Sequence, residues 1–162
     1  MTANPYSSYV DGIDVLASLE GTAGRIAALV EGWSPEAFER TYAPGKWTAR
    51  QLIIHLFHTE MMFGERARFG VNTPGYVVTP FDQDAWMALD GAADARSALS
   101  AYLGTRRMNL AFFRSLTAVQ LARPFEHPER GRIDVAWIVT ALAGHERHHL
   151  PQLEQIAALR PE

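Results

Sequence analysis

The chain contains no cysteine among its 162 residues, which removes disulfides, thiolate metal ligands and a cysteine nucleophile together. It has no excess of positive charge either. The 15 Lys and Arg stand against 18 Asp and Glu, giving a formal net charge of -3 and a pI of about 6.1. Such a balance does not suit a protein that must cover a polyphosphate backbone, so nucleic acid is not an expected partner. No apolar run approaches the ~18 residues of a membrane span. Met1–Val10 carries neither a basic n-region nor an apolar h-region, so the expectation is a cytoplasmic protein with no membrane partner. Alternating runs rich in β-formers, internal repeats and low-complexity tracts are also missing. Any metal must therefore be held by histidine and oxygen ligands.

What remains is ordinary core material. Hydrophobic residues make up 48% and charged residues 20% of the chain, and the length suits one domain over 1–162 that buries roughly two thirds of its unfolded surface. Helical spacing recurs in four segments. Over 11–31 it runs through Val15, Leu19, Ile26 and Leu29, with Gly32 as a stop. A short turn of helix is expected at Ser34-Pro35-Glu36. Segment 48–69 opens on Thr48-Ala49-Arg50-Gln51, a capping box, continues through Leu52, Leu56, Met62 and Phe69, and has Gly70 as its stop. Segment 95–116 carries Leu99, Tyr102, Leu103, Leu110, Phe113 and Leu116. After a stretch broken by Pro124, Pro128 and Gly131, a fourth helix is expected from about Ile133 to Leu159, ending near Pro161. Four amphipathic helices satisfy their apolar faces by packing around one core, so the expected fold is all-α, a four-helix bundle. The 71–94 connection, with a short helix starting at Thr79-Pro80 and reaching Met87, is long for a bundle and suits a crossover. Its Tyr76, Phe81 and Trp86 either wall a site or pack a surface crossover.

The last helix is the informative one. In heptad register Val135, Leu142, His149 and Ile156 share one core position, and Ile138, His145, Gln152 and Leu159 share the other. Two histidines thus interrupt the apolar seam one turn apart, close enough for both imidazoles to reach one ion about 2.1 Å away. On the second helix His55 interrupts an inward face that also carries Thr48, Leu52, Thr59, Met62 and Phe69. Three neutral imidazoles suit a divalent ion such as zinc, nickel, iron or manganese and leave a coordination position open. The bland alternative for each is a hydrogen-bonded core histidine. His148 competes as a ligand. His58 has three readings: a fourth ligand, a base beside the site, or an exposed residue. His127 reads as a solvated loop histidine, and Trp33, Trp47, Trp86 and Trp137 as core or helix-end anchors.

The run His145-Glu146-Arg147-His148-His149 also matches H-E-x-x-H, in which the glutamate of a zinc peptidase is the general base. The extended form of that motif needs glycine at 152 and histidine at 155, where this chain has Gln152 and Gln155. A bundle also lacks the edge strand on which peptidases lay an extended substrate.

Together, Trp47-Thr48-Ala49-Arg50-Gln51-Leu52-Ile53-Ile54-His55-Leu56 and the downstream Gly144-His145-Glu146-Arg147-His148-His149-Leu150-Pro151-Gln152-Leu153 resemble the DinB superfamily, which includes YfiT-like metal-dependent hydrolases. The resemblance spans essentially the whole chain. It implies a bundle with a crossover connection and one metal, often zinc or nickel, on His55, His145 and His149. Where many relatives have aspartate, this chain has His58. The resemblance further implies an enzyme acting on a small-molecule substrate, by hydrolysis or by transfer of a low-molecular-weight thiol, and a homodimer. His58, Glu60 and Glu146 are the candidate catalytic helpers. The alternative is a non-catalytic metal-binding or stress-response protein with a structural metal. Replacing His145 or His149 with alanine is expected to abolish high-affinity metal binding, whereas His127→Ala leaves it intact. Elemental analysis of the purified variants decides this, and equal metal content in all three removes the assignment.

Overall fold

A computed structural model describes residues 3–159, so Pro161 lies outside the described residues. After a single 3-10 turn at Ser7–Tyr9, seven helices and one hairpin follow: α1 (Val15–Leu29), α2 (Pro35–Phe38), α3 (Ala49–Asn72), α4 (Gln83–Asp90), α5 (Ala95–Ser115), α6 (Ala118–Leu121), β1 (Pro124–His127), β2 (Gly131–Asp134) and α7 (Val135–Ala157). The long helices α1, α3, α5 and α7 form the bundle.

Caps set most of the boundaries. Thr48 and Gln51 form the expected capping box on α3. Asp14, Asp94 and Asp134 each accept main-chain N–H groups at the starts of α1, α5 and α7, which is why α1 begins at Val15 rather than at 11 and α7 after Ile133. Asp82, not Thr79, caps α4. Gly70 does not stop α3. A Cβ there would meet Phe125 of the hairpin at 2.5 Å, so the glycine gives that ring room while the helix continues to Asn72. The hairpin, with Phe125 opposite Ile133 and His127 opposite Gly131, is missed by the sequence pattern, as are α6 and the turn at Ser7–Tyr9. Each strand has four residues, too few for period-two alternation to register.

In the bundle α3 packs against α5 and α7, and α1 against α7 and α5, leaving α1 diagonal to α3 and α5 diagonal to α7. Neighbouring side chains give the directions. Val15 lies near Val139, and Arg25 bonds Glu154, so α1 and α7 run parallel. Leu52 lies by His149 and Phe63 by Trp137, so α3 and α7 are antiparallel. Met61 sits with Ala101 and Glu65 with Thr105, so α3 and α5 are parallel. Parallel neighbours demand a link that returns the length of the bundle, roughly 35 Å for a 24-residue helix at 1.5 Å per residue. The 73–94 segment makes that return, so the expected crossover is present. It runs over α3 toward the α7 side, pairing Val77 with Glu126 of the hairpin on the way.

Two apolar clusters fill the interior. One holds Ile26, Leu52, Leu56, Tyr102 and Leu153. The other holds Leu19, Leu110, Phe125, Ile138 and Leu142. Between them the helices carry a belt of buried polar residues, including His55, Glu60, Arg106, His145 and Glu146. Arg106 of α5 is its hub. Its Nε and Nη2 donate to Glu60 of α3 at 3.1 and 2.5 Å, and its Nη1 donates to Glu146 of α7 at 2.8 Å and to the Leu19 carbonyl of α1 at 2.7 Å. A further bond joins Nη2 to Glu146. Tyr102 donates to Glu146 and Asn109 to Glu60. Burial opposes the charge on Arg106, but the carboxylates of Glu146 and Glu60 outweigh it and hold the guanidinium protonated well above its usual range.

Arg106→Met strands two buried carboxylates and is expected to cost about 3–5 kcal/mol in denaturant unfolding. Replacing Arg106, Glu60 and Glu146 together by apolar residues of similar volume is expected to recover much of that loss. A single-variant cost below about 1 kcal/mol, the scale of a surface ion pair, would remove Arg106 as the hub.

Candidate metal centre

His55 projects from the middle of α3 and His145 and His149 from the middle of α7, all toward the α3/α7 interface. They are 2%, 4% and 8% exposed. His145 Nε2 lies 3.0 Å from His55 Nε2 and 3.1 Å from His149 Nε2. One ring nitrogen from each falls within 4.8 Å of the others, the sole such group of His, Asp or Glu among the described residues.

Hydrogen bonding alone does not account for this cluster. His149 Nδ1 faces Gln152 Oε1 at 2.8 Å. An amide oxygen only accepts, so the ring proton of neutral His149 sits on Nδ1 and its Nε2 presents a lone pair. His145 Nε2 then contacts two neighbours with at most one proton, which can serve one contact well. The Nδ1 atoms of His55 and His145 are buried without a hydrogen-bond partner. A single cation satisfies all three Nε2 atoms at once. Two nitrogens each about 2.1 Å from one ion and at right angles to it lie about 3.0 Å apart, as His145 Nε2 does from each of its two neighbours.

Burial also prepares the rings chemically. Desolvation, with help from neighbouring imidazoles, lowers His55 to about 3. Desolvation lowers His149 to about 4, although Gln152 opposes the shift. His145 falls well below the ordinary imidazole value for the same main reason. All three are therefore neutral near pH 7, the form that ligates a metal.

Aromatic rings enclose the cluster. Trp47 lies 4.8 Å from His55 between centroids, and Phe81 from the crossover stacks on His55 at 6.5 Å. Tyr6 meets His145 edge-on at 5.3 Å. That approach depends on Gly144, where a Cβ would come within 2.6 Å of Tyr6 Cβ. A cavity of about 150 Å³ opens beside His55 and His145, walled by Phe63, Phe81 and Trp137. Of the connection's aromatics, Phe81 thus lines the site, Trp86 packs edge-on against His58, and Tyr76 stacks on Phe69 away from it.

The other sequence candidates have different surroundings. His58 is fully buried, neither exposed nor in the cluster, and its Nε2 bonds Asp90 at the end of α4 at 2.8 Å. His148 turns outward and bonds the Tyr9 hydroxyl at 2.8 Å. Glu60 and Glu146 face Arg106 (above). Glu146 follows His145 by ~100° around the helix, which carries its carboxylate into the four-helix interior and away from the position a peptidase base needs. His127 corrects the expectation of a solvated loop. It is 6% exposed, because β1 folds it against the bundle. Sequence reasoning missed the Gln152 contact, although its i, i+3 spacing from His149 was a signal. It also missed Arg106, which occupies the apolar stripe between Leu103 and Leu110.

With the geometry established, the chain can be set beside known proteins. The DinB superfamily model matches residues 18–153. The chain belongs to the DinB superfamily. Among curated relatives, a protein of Oceanobacillus iheyensis named "Putative metal-dependent hydrolase" is 28% identical over 140 residues, covering 86% of this chain and 81% of the relative. Another of the same name, from Bacillus mycoides, is 23% identical over 144 residues, covering 87% and 82%. Among solved structures, YfiT from Bacillus subtilis, described as a probable metal-dependent hydrolase with an unusual four-helix bundle topology, superposes with a TM-score of 0.81. It is 25% identical, and the match covers 88% of this chain and 83% of that one. The parallel α3/α5 pair and its crossover are this DinB chain's departure from simple up-and-down order.

The depressed histidines link stability to acid. Below pH about 6.5 the unfolded imidazoles take up protons while the folded ones do not. The metal-free protein is therefore expected to lose stability as pH falls from about 6.5 toward the folded values of about 4 for His149 and about 3 for His55. Denaturant midpoints across that range, compared with a His55→Leu/His145→Leu/His149→Leu variant, measure it. An identical slope in both proteins would sink the assignment.

Proposed function

We propose that this DinB protein is a metal-dependent enzyme in which His55, His145 and His149 hold one divalent ion, zinc or nickel in the first instance, through their Nε2 atoms. The observation that carries the reading is the convergence of three buried, neutral imidazole nitrogens beside a cavity. An ion held there supplies Lewis acidity, polarising a substrate oxygen and easing loss of a proton from water or a thiol.

The chain's own residues supply the rest. Gln152 fixes the His149 tautomer, so that Nε2 faces the cluster. Trp47, Phe81 and Tyr6 hold the ring planes and exclude bulk water, which strengthens electrostatic interactions inside. The His58–Asp90 bond pins α4, and with it the crossover that carries Phe81, against α3. We assign Glu60 and Glu146 to fixing the helices through Arg106 rather than to proton transfer.

A structural metal normally has four protein ligands, whereas a catalytic one keeps a position open. Here three histidines converge and His58, the sequence's candidate fourth ligand, turns to Asp90. That favours an enzyme over a non-catalytic metal protein. Hydrolysis is the first reaction to assay because the relatives carry that name; thiol transfer is the second, since a solution thiol suits a chain without cysteine.

Cobalt(II) substitution tests the open position directly. The visible spectrum of the loaded protein is expected to change on adding azide or a small thiol, and loaded protein is expected to turn over an ester, amide or thiol-acceptor panel that His149→Ala does not. A cobalt spectrum indifferent to both additions, with no turnover, would establish the structural-metal alternative instead.

A further inference from the structure

The cavity beside His55 and His145 has a second pole that the metal reading leaves unused. Arg66 lies about three turns along α3 from His55 and on the same face of the helix. It lines the cavity and is only 6% exposed. Its Nη2 donates to the Thr79 carbonyl of the crossover at 2.8 Å, but its Nε is buried without a hydrogen-bond partner. Leaving a charged donor buried and unpaired costs free energy unless something else pairs with it. The Phe63 ring, 5.8 Å from the guanidinium carbon, offsets part of the charge but accepts no directed hydrogen bond at Nε.

Two further cationic or donor groups stand at the same pole. His127 lines the cavity, and its Nδ1 accepts the Glu129 main-chain N–H at 3.2 Å, so in the neutral ring the proton lies on Nε2. Burial is the main cause that lowers its pKa; Arg66 and Arg130 lower it further, and Glu129 opposes them. Arg130 also lines the cavity, with its guanidinium 5.8 Å from the Trp137 ring centroid. Two carboxylates, Glu65 and Glu129, act on Arg66, and both are exposed; of the two, only Glu129 lines the cavity. The cavity thus has imidazole nitrogens at one end and donors of positive sign at the other, with aromatic walls between.

We propose that this second pole is a recognition subsite for an anionic group, carboxylate or phosphate, on the small molecule whose reacting group lies at the three histidines, with Arg66 Nε as the anchoring donor. The proposal rests on the metal-dependent reading above and names its substrate class. The size of the cavity limits that class. Its volume of about 150 Å³ equals that of an engineered protein cavity that takes up benzene. The part of the occupant that lies inside is a compact acid or phosphate monoester with a ring or short chain between its two ends. Arg suits such a role because its planar fork meets a carboxylate or phosphate along two parallel bonds.

The test is binding to metal-free protein at neutral pH, which separates the anion subsite from any carboxylate–metal contact. Benzoate and phenyl phosphate are titrated against the neutral isostere benzamide, following the Arg66 Nε–H resonance and heats of binding. At least one anion is expected to bind and to move the Nε–H signal, with benzamide weaker, and the preferred anion distinguishes a carboxylate from a phosphate substrate. Arg66→Gln, which keeps a donor for Thr79, is expected to weaken anion binding roughly ten- to a hundredfold, the scale of one hydrogen bond to a charged group. Arg66→Lys is expected to retain part of it. Metal stoichiometry, measured separately, should be unchanged in both variants. If Arg66→Gln does not fold, the Nε–H signal of the wild type decides alone. Anion binding equal to that of benzamide, an unmoved Nε–H signal, or no anion binding at tens of millimolar overturns the subsite. Loss of metal binding in the wild type would instead overturn the metal reading and leave the anion result standing.

Discussion

One guanidinium ties the bundle together. Arg106 reaches a carboxylate on α3, a carboxylate on α7 and a main-chain carbonyl on α1 from its own place on α5, so it contacts all four long helices. A buried ion cluster of this kind is a weak source of net stability, since desolvation offsets most of the attraction. It is stringent about geometry, because a rotation of either partner helix leaves a buried charge unpaired. Glu146 is the residue next to His145, and Glu60 is little more than one turn from His55. Fixing the two carboxylates therefore fixes the rotation of α3 and α7, and with it the convergence of the three imidazoles.

The two polar groups of the interior thus divide the labour of the same two helices. On α7, successive residues His145 and Glu146 face different neighbours, one toward the α3/α7 cavity and one toward α5. The H-E-x-x-H spelling suggests that the glutamate serves the metal, but the helix places it on another face, where Tyr102 and Arg106 occupy it. The same spelling can thus serve a peptidase in one fold and a structural anchor in another, because function follows from the direction of a side chain rather than from its place in a string.

The crossover brings a third layer of constraint. It returns over α3 because α3 and α5 run parallel, and that return puts Phe81 against His55 and gives Arg66 its Thr79 partner. The hairpin, whose Phe125 packs in the core beside Gly70, closes the other side through His127. Both lie outside the four long helices, yet they help to give the site its walls and its cationic pole. The fold's departure from up-and-down order is, in this sense, what encloses the cavity.

The sequence by itself determined the four long helices, the capping box of α3 and the three histidines of the cluster, because these depend on local periodicity and on polar residues interrupting an apolar seam. Thr48 and Gln51 satisfy each other within one turn, and His145 and His149 share a face through helix geometry alone. Only the tertiary structure decided that His55 meets them, that His58 turns to Asp90, that His127 is buried and that Gly70 makes room for Phe125 rather than ending a helix. Each of those outcomes depends on a residue from a distant part of the chain, and hydrophobic periodicity carries no information about which helices become neighbours or in which direction they run.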